Sequence, residues 1–105
     1  MVAELDVVPA DEFPPGSVKI VVADSILVGV YNCGGNLYAI EDRCSHDDGP
    51  LAEGEFDEDR GVVVCPRHGS EFEVCSGRPR TLPAYLPVQT YRAWVEDGMI
   101  KLEIP

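Results

Sequence analysis

The chain has 105 residues, of which 45% are hydrophobic, and 19 acidic side chains against 8 basic ones give a formal net charge of −11. This length allows one domain with a modest core, and no apolar run approaches the roughly 20 residues that span a bilayer. The acidic balance argues against nucleic acid and anionic membranes, because their phosphate charges would repel this surface. It can steer the chain toward basic patches on other proteins, or serve only to keep the protein in solution.

Short apolar runs separated by turn residues dominate the chain from its beginning to its end. Residues 1–6 contain Glu4 and Asp6 and no basic side chain, unlike a signal peptide, so we expect a soluble, cytoplasmic protein. With 9 prolines and 10 glycines distributed throughout, long helices are not expected, and the pattern predicts an all-β sandwich or small barrel. In chain order, the predicted strands are residues 3–8, 17–23, 26–32, 37–41, 54–57, 61–64, 71–74, 88–95 and 99–104.

Two tight turns are predicted within this series. Cys33-Gly34-Gly35-Asn36 joins the third and fourth strands, and Asp97-Gly98 joins the last two. Glycine, asparagine and aspartate tolerate the positive φ angles that two-residue hairpin turns require. Both segments are therefore expected to form antiparallel hairpins.

Two short clusters, Cys44-Ser45-His46 and Cys65-Pro66-Arg67-His68, contain both histidines of the chain and two of its 4 cysteines. Two thiolates and two imidazoles can hold one zinc ion or a [2Fe–2S] cluster, so ligand identity alone leaves both possible. Cys₂His₂ zinc fingers pair cysteine with cysteine and histidine with histidine along the chain. Here each cluster supplies one of each, and residues 47–64 between them are enough for a hairpin that brings two loops together.

The other two cysteines, Cys33 and Cys75, have no histidine nearby in the sequence. We interpret them as reduced, partly buried thiols. A disulfide between them is the alternative.

The residues around the two clusters resemble the Rieske iron–sulfur family. The resemblance covers about 90% of the chain, and the segments that carry it are Leu37-Tyr38-Ala39-Ile40-Glu41-Asp42, Cys44-Ser45-His46, Gly49-Pro50-Leu51, Cys65-Pro66-Arg67-His68-Gly69-Ser70, Phe72, Gly77 and Pro83-Ala84. It implies one Rieske domain over residues 1–105, with an antiparallel β-sandwich and a small cluster-binding subdomain of two ligand loops.

The same resemblance implies one [2Fe–2S] cluster held by four residues. Cys44 and Cys65 would bind the inner iron, and His46 and His68 the outer, solvent-facing iron. Neutral histidines in place of two thiolates leave the oxidised site less negative, which raises its potential to about −150 to +300 mV.

Three positions depart from the high-potential members of this family. Those members carry an extra cysteine in each ligand loop, joined as a disulfide, and a tyrosine whose hydroxyl bonds a ligand sulfur. This chain has Gly49, Arg67 and Phe72 at the corresponding positions. Fewer hydrogen bonds to sulfur stabilise the reduced cluster less, so we expect a potential near the low end of the range.

The resemblance further implies a ferredoxin component of a multicomponent aromatic-ring dioxygenase, and a monomer suits such a carrier because it must expose its cluster to two partners in turn. It would carry one electron at a time from a flavin-dependent NAD(P)H reductase to a terminal oxygenase. An oxygenase in its own right would need a mononuclear iron held by two histidines and a carboxylate, and no histidine is left once the cluster is built. The alternatives are the small subunit of a nitrite reductase and a zinc-binding interaction module.

Overall fold

The computed structural model describes residues 3–44 and 49–105. This part of the chain contains nine strands and one 3₁₀ helix, joined by turns and loops. The strands are β1 Ala3–Pro9, β2 Val18–Ala23, β3 Ile26–Cys33, β4 Asn36–Glu41, β5 Phe56–Asp57, β6 Val62–Val64, β7 Glu71–Glu73, β8 Thr90–Glu96 and β9 Met99–Ile104. The 3₁₀ helix, Ala10–Glu12, follows β1. Within these ranges no helix has the length and apolar character to cross a membrane.

The strands form two antiparallel sheets, which confirms the predicted all-β class. The large sheet has the order β1-β9-β8-β4-β3-β2, and the small sheet has the order β5-β6-β7. Every strand pairing in both sheets is antiparallel. The small sheet carries the second cysteine–histidine cluster between β6 and β7.

Each end of a predicted strand agrees with the structure to within two residues. β9 has the predicted bounds, whereas β8 begins at Thr90 instead of residue 88. β5 is shorter than the predicted segment 54–57, because the N–H of Gly54 donates to the Leu51 carbonyl in a turn, 2.9 Å away. The 3₁₀ helix was not predicted.

The turn between β3 and β4 forms as predicted. Cys33 and Asn36 face each other across the two strands, and Gly34 and Gly35 between them have φ angles of 61° and 101°. Two consecutive positive φ angles match the right-handed twist of the flanking strands.

Both faces of β3 and β4 are buried, each against a different core cluster. Val28, Val30 and Ala39 pack with Ile100 and Leu102 of β9, so the large sheet curls over and encloses one cluster. On the other face a second cluster forms against the small sheet, and its buried members are Tyr31, Ile40, Cys44, Leu51, Val63, Cys65, Phe72, Val74, Ala84 and Val88. Residues adjacent along each strand point to opposite faces, so β3 and β4 join the two halves of the molecule.

Tyr31 is the largest fully buried side chain, with no exposed surface. Its ring meets the edge of Phe56 at a centroid distance of 5.0 Å and an interplanar angle of 67°. Its hydroxyl has no hydrogen-bond partner in the described part of the chain. Burial, and to a smaller extent the Asp42 carboxylate, raises the pKa of Tyr31, so the phenol stays neutral.

Tyr31→Phe is expected to stabilise the protein by about 1 kcal/mol, because it removes a buried hydroxyl that makes no hydrogen bond while keeping the ring contact with Phe56. Urea denaturation of the two proteins at equal cluster content measures the difference. A loss of stability in the phenylalanine variant would show that the hydroxyl has a partner in solution.

Candidate metal centre

In each cysteine–histidine cluster the backbone N–H of the cysteine makes a hydrogen bond that closes the ligand loop. The N–H of Cys44 donates to the carbonyl of Gly49 at 2.7 Å, and the N–H of Cys65 donates to the carbonyl of Ser70, also at 2.7 Å. The second loop has a further bond from the N–H of Gly69 to the carbonyl of Cys65, at 2.9 Å. The two loops therefore share one type of closure, from a cysteine to the residue five positions later.

The described members of the predicted ligand set differ in exposure. Cys44 and Cys65 are 0% and 1% exposed and belong to the same core cluster. His68 is exposed, in the outer part of the second loop. His46 lies outside the described residues. Within residues 3–44 and 49–105, no three Cys, His, Asp or Glu side chains are grouped closely enough to hold a metal ion.

A third segment packs against the second loop. The N–H of Glu71 donates to Thr81 Oγ1 at 2.9 Å, and the N–H of Ala84 donates to Ser70 Oγ at 3.1 Å. Ser70 and Ala84 are both buried. The residues around Ala84 are exposed and apolar, with Leu82 at 79%, Tyr85 at 75% and Leu86 at 52%. The second loop is therefore bordered by an apolar surface, here called the loop-81 patch and made of Leu82, Tyr85 and Leu86.

An ion pair between Arg60 and Glu71 lies beside the second loop. The guanidinium of Arg60 donates to both carboxylate oxygens of Glu71, at 3.0 and 2.6 Å. These hydrogen bonds are the main reason that the pKa of Glu71 is lowered. Both side chains reach solvent, so the pair contributes little to stability. Its main effect is to hold Glu71, the residue after Ser70, in place.

Asp42 is a buried carboxylate that the motif analysis did not single out as a functional residue. Its Oδ1 accepts hydrogen bonds from the N–H groups of Leu51 at 2.8 Å and Ala52 at 2.7 Å. The side chain is 4% exposed and lies two residues before Cys44. It thus connects the chain before the first loop to the chain after it. In the sequence Asp42 is one of three consecutive charged residues, Glu41-Asp42-Arg43, so its burial gave no local signal.

Asp42→Ala is expected to lower the free energy of unfolding by about 3 kcal/mol, because two N–H groups at the base of the first loop lose their acceptor. Asp42→Asn is the matched control: the amide oxygen can still accept both bonds, and we expect a loss of about 1 kcal/mol. Chemical denaturation gives both values, and the decay of visible absorption reports loop integrity. Equal losses in the two variants would contradict the role of Oδ1.

The two remaining cysteines only partly match the prediction. Cys33, Cys44, Cys65 and Cys75 are all free thiols, so the structure contains no Cys33–Cys75 disulfide. Cys33 is partly buried as predicted, but Cys75 is exposed. The burial prediction for Cys75 is wrong because this residue follows β7 in a turn, outside the small sheet.

Comparison with known sequences gives a consistent set of relatives. A family model of the Rieske [2Fe-2S] domain matches residues 3–92. The 3-phenylpropionate/cinnamic acid dioxygenase ferredoxin subunits of Shigella flexneri serotype 5b and Escherichia coli K12 are each 36% identical to the chain over 97 residues. These matches cover 92% of this chain and 90% of each relative.

Solved structures resemble this chain over nearly its whole length. The ferredoxin of carbazole 1,9a-dioxygenase from Nocardioides aromaticivorans IC177 superimposes with a TM-score of 0.88 and 32% identity, over 94% of this chain and 95% of that one. A chain from the complex of reduced oxygenase and oxidized ferredoxin in carbazole 1,9a-dioxygenase gives 0.88 and 33%, over 94% and 91%. A putative nitrite reductase small subunit shares the fold, with a TM-score of 0.77 over 95% of this chain and 97% of that one, at 18% identity.

Proposed function

Because this chain belongs to the Rieske [2Fe-2S] domain family, we propose that it is the electron-transfer ferredoxin of a multicomponent aromatic-ring dioxygenase. A Rieske domain implies one [2Fe–2S] cluster, which takes up and releases one electron when bound. In this proposal the chain accepts that electron from a flavin-dependent NAD(P)H reductase and delivers it to a terminal oxygenase. The ferredoxin and oxygenase names of its relatives support the proposal.

Four residues would hold the cluster: Cys44, His46, Cys65 and His68. The donor types fit, since a Rieske centre takes two thiolates on one iron and two imidazoles on the other. The burial of Cys44 and Cys65 and the exposure of His68 are what an inner thiolate iron and an outer imidazole iron require. The equivalent closures at Gly49 and Ser70 support two loops of matching role.

The chain itself is an electron carrier and not a catalytic enzyme, as its relatives are ferredoxin components of dioxygenase systems. Both histidines of the sequence are used by the proposed cluster. None is then left for the mononuclear iron site of an oxygenase.

We place the face that docks to the oxygenase at the loop-81 patch. Two hydrogen bonds, Glu71 N–H to Thr81 and Ala84 N–H to Ser70, hold this segment against the loop that contains His68. Exposed apolar side chains grouped beside a polar loop are typical of an interaction site. A small apolar contact also suits a carrier, whose complexes must be weak and dissociate quickly.

Tyr85→Ala is expected to slow electron delivery to the terminal oxygenase about tenfold at limiting concentration, because aromatic side chains at the centre of an interface contribute most to binding. The measurement is stopped-flow oxidation of the reduced protein by the oxygenase. Val95→Ala is the matched control. Val95 is 51% exposed but lies near the C-terminal end of β8, next to the β8–β9 turn. Equal slowing in both variants would rule out a specific role for the patch.

The cofactor and its potential are tested on the purified protein. We expect a red-brown protein with an electron paramagnetic resonance signal that appears on reduction, whereas a zinc protein would be colourless and silent. Because Gly49, Arg67 and Phe72 provide neither a loop disulfide nor a tyrosine hydroxyl, we expect a midpoint below about 0 mV within the Rieske range. A midpoint well above zero would refute the low-potential assignment.

A further inference from the structure

Cys33 and Cys75 belong to none of the proposed cluster ligands, yet the fold brings them to one place. Cys33 ends β3 on the large sheet, and Cys75 follows β7 on the small sheet. Both line a cleft of about 230 Å³ together with Tyr38, Gly61 and Val74. Two cysteines, one at the end of a strand of the large sheet and one just after the small sheet, therefore line the same cavity.

Backbone contacts fix the two walls of this cleft to each other. Cys33 Sγ lies 3.9 Å from the position that a Cβ on Gly61 would take. The carbonyl of the same Gly61 accepts a hydrogen bond of 3.0 Å from the N–H of Val74, the residue before Cys75. Gly61 thus lies beside the first thiol and is hydrogen-bonded to the neighbour of the second cysteine.

We propose that Cys33 and Cys75 form an oxidisable dithiol site, which hydrogen peroxide converts to an intramolecular disulfide. The bond would link the end of β3 to the segment after β7. It would join the large sheet covalently to the small sheet, which carries the second ligand loop. Disulfide formation requires Cα atoms about 4.4–6.8 Å apart, so we expect residues 33 and 75 at this separation in the oxidised protein while both sheets keep their hydrogen bonds.

The two thiols differ in a way that sets the order of the reaction. Cys33 is partly buried, and its Sγ–H donates to the carbonyl of Glu58 at 3.3 Å. Burial is the main cause that raises the pKa of Cys33, followed by the charges of Glu58, Cys75 and Asp59. Cys33 therefore stays a thiol at neutral pH, whereas Cys75 is exposed to solvent and is the thiol that peroxide reaches first.

The reaction balances in two steps. The Cys75 thiolate attacks peroxide, forming an S–O bond and breaking the O–O bond, and the released hydroxide takes a proton to leave as water. The Cys33 thiol then loses its proton and attacks the Cys75 sulfur, forming the S–S bond and releasing the oxygen as a second water. In total, two thiols and one peroxide give one disulfide and two waters.

The test treats the cluster-loaded protein with limiting hydrogen peroxide and analyses it by intact mass and by peptide mapping without reductant. We expect an intact mass lower by two hydrogen atoms, a peptide that joins residues 33 and 75, and loss of alkylation at both thiols. The thermal midpoint of the oxidised protein should rise by at least about 5 °C, because the cross-link restricts the unfolded chain. Diamide serves as a second thiol oxidant, so that any loss of cluster to peroxide does not obscure the result.

Two single variants provide the controls. Cys33→Ser should leave Cys75 without its partner, so that its sulfur gains oxygen atoms instead of forming the internal bond. Cys75→Ser should leave Cys33 largely reduced and open to alkylation under the same treatment. The proposal is overturned if wild-type Cys33 remains alkylatable while Cys75 gains oxygen, if the disulfide joins two copies of the chain, or if it involves Cys44 or Cys65.

Discussion

Cys65→Ala is expected to abolish the visible absorption and the reduced-state electron paramagnetic resonance signal of the [2Fe–2S] cluster. Cys65 is 1% exposed, and its backbone N–H closes the second loop at Ser70. Residues 66–70 contain no second cysteine that could replace it as a ligand. Iron content and absorption of the purified variant measure the effect. A variant that keeps its spectrum would remove Cys65 from the ligand set.

Cys75→Ala is the matched control for this prediction, because it makes the same substitution at an exposed cysteine. It should keep the full cluster content under reducing conditions. A second comparison separates the loss of a ligand from general destabilisation: in cluster-free protein, Cys65→Ala should lower the free energy of unfolding by only about 1 kcal/mol, the effect of removing one small buried side chain. A much larger loss there would mean that the spectrum disappears because the fold fails.

Gly54→Ala is expected to destabilise the protein by about 3 kcal/mol or more, through steric overlap with the backbone. A Cβ on Gly54 would lie 1.7 Å from the carbonyl oxygen of Val64. Neither side can yield easily, since the N–H of Gly54 is bonded to Leu51 and the N–H of Val64 is bonded to Glu55, both at 2.9 Å. Val64 directly precedes Cys65, so the overlap should also displace a proposed ligand and speed the loss of cluster.

Gly34→Ala is the control for this second prediction. It lies in the β3–β4 turn with a φ of +61°, and a Cβ there would meet no atom within 4 Å. Its cost is therefore conformational and should be about 1 kcal/mol. Denaturant unfolding of both variants, with the rate of absorption loss, tests the comparison. Equal destabilisation would show that the Gly54–Val64 approach is looser in solution than in the structure.

Local sequence was enough to predict most of the strands, since short apolar runs and turn-forming glycines and aspartates act over short distances. It also predicted the hairpins β3–β4 and β8–β9, but not which strands distant in sequence pair with each other. β1 pairs with β9, with Ala3 opposite Ile104, and β4 pairs with β8 across Ala39 and Tyr91. Pairings between residues so far apart leave no periodic signal in a single chain. The close approach of the Gly54 backbone to the Val64 carbonyl could not be predicted from the sequence either, because the two residues lie ten positions apart.

Residue identity and spacing are enough to specify the donor chemistry: two cysteine–histidine clusters, in which each loop carries one thiol and one imidazole, resemble one family and set the type of cofactor. The surroundings of those donors depend instead on the assembled fold. It buried Cys44 and Cys65 while leaving His68 exposed, placed the Asp42 carboxylate under the first loop, and set the loop-81 patch beside the second. It also brought Cys33 and Cys75 to one cleft. Burial, hydrogen bonding and proximity are properties of residues distant in sequence, so they appear only when the sheets are assembled.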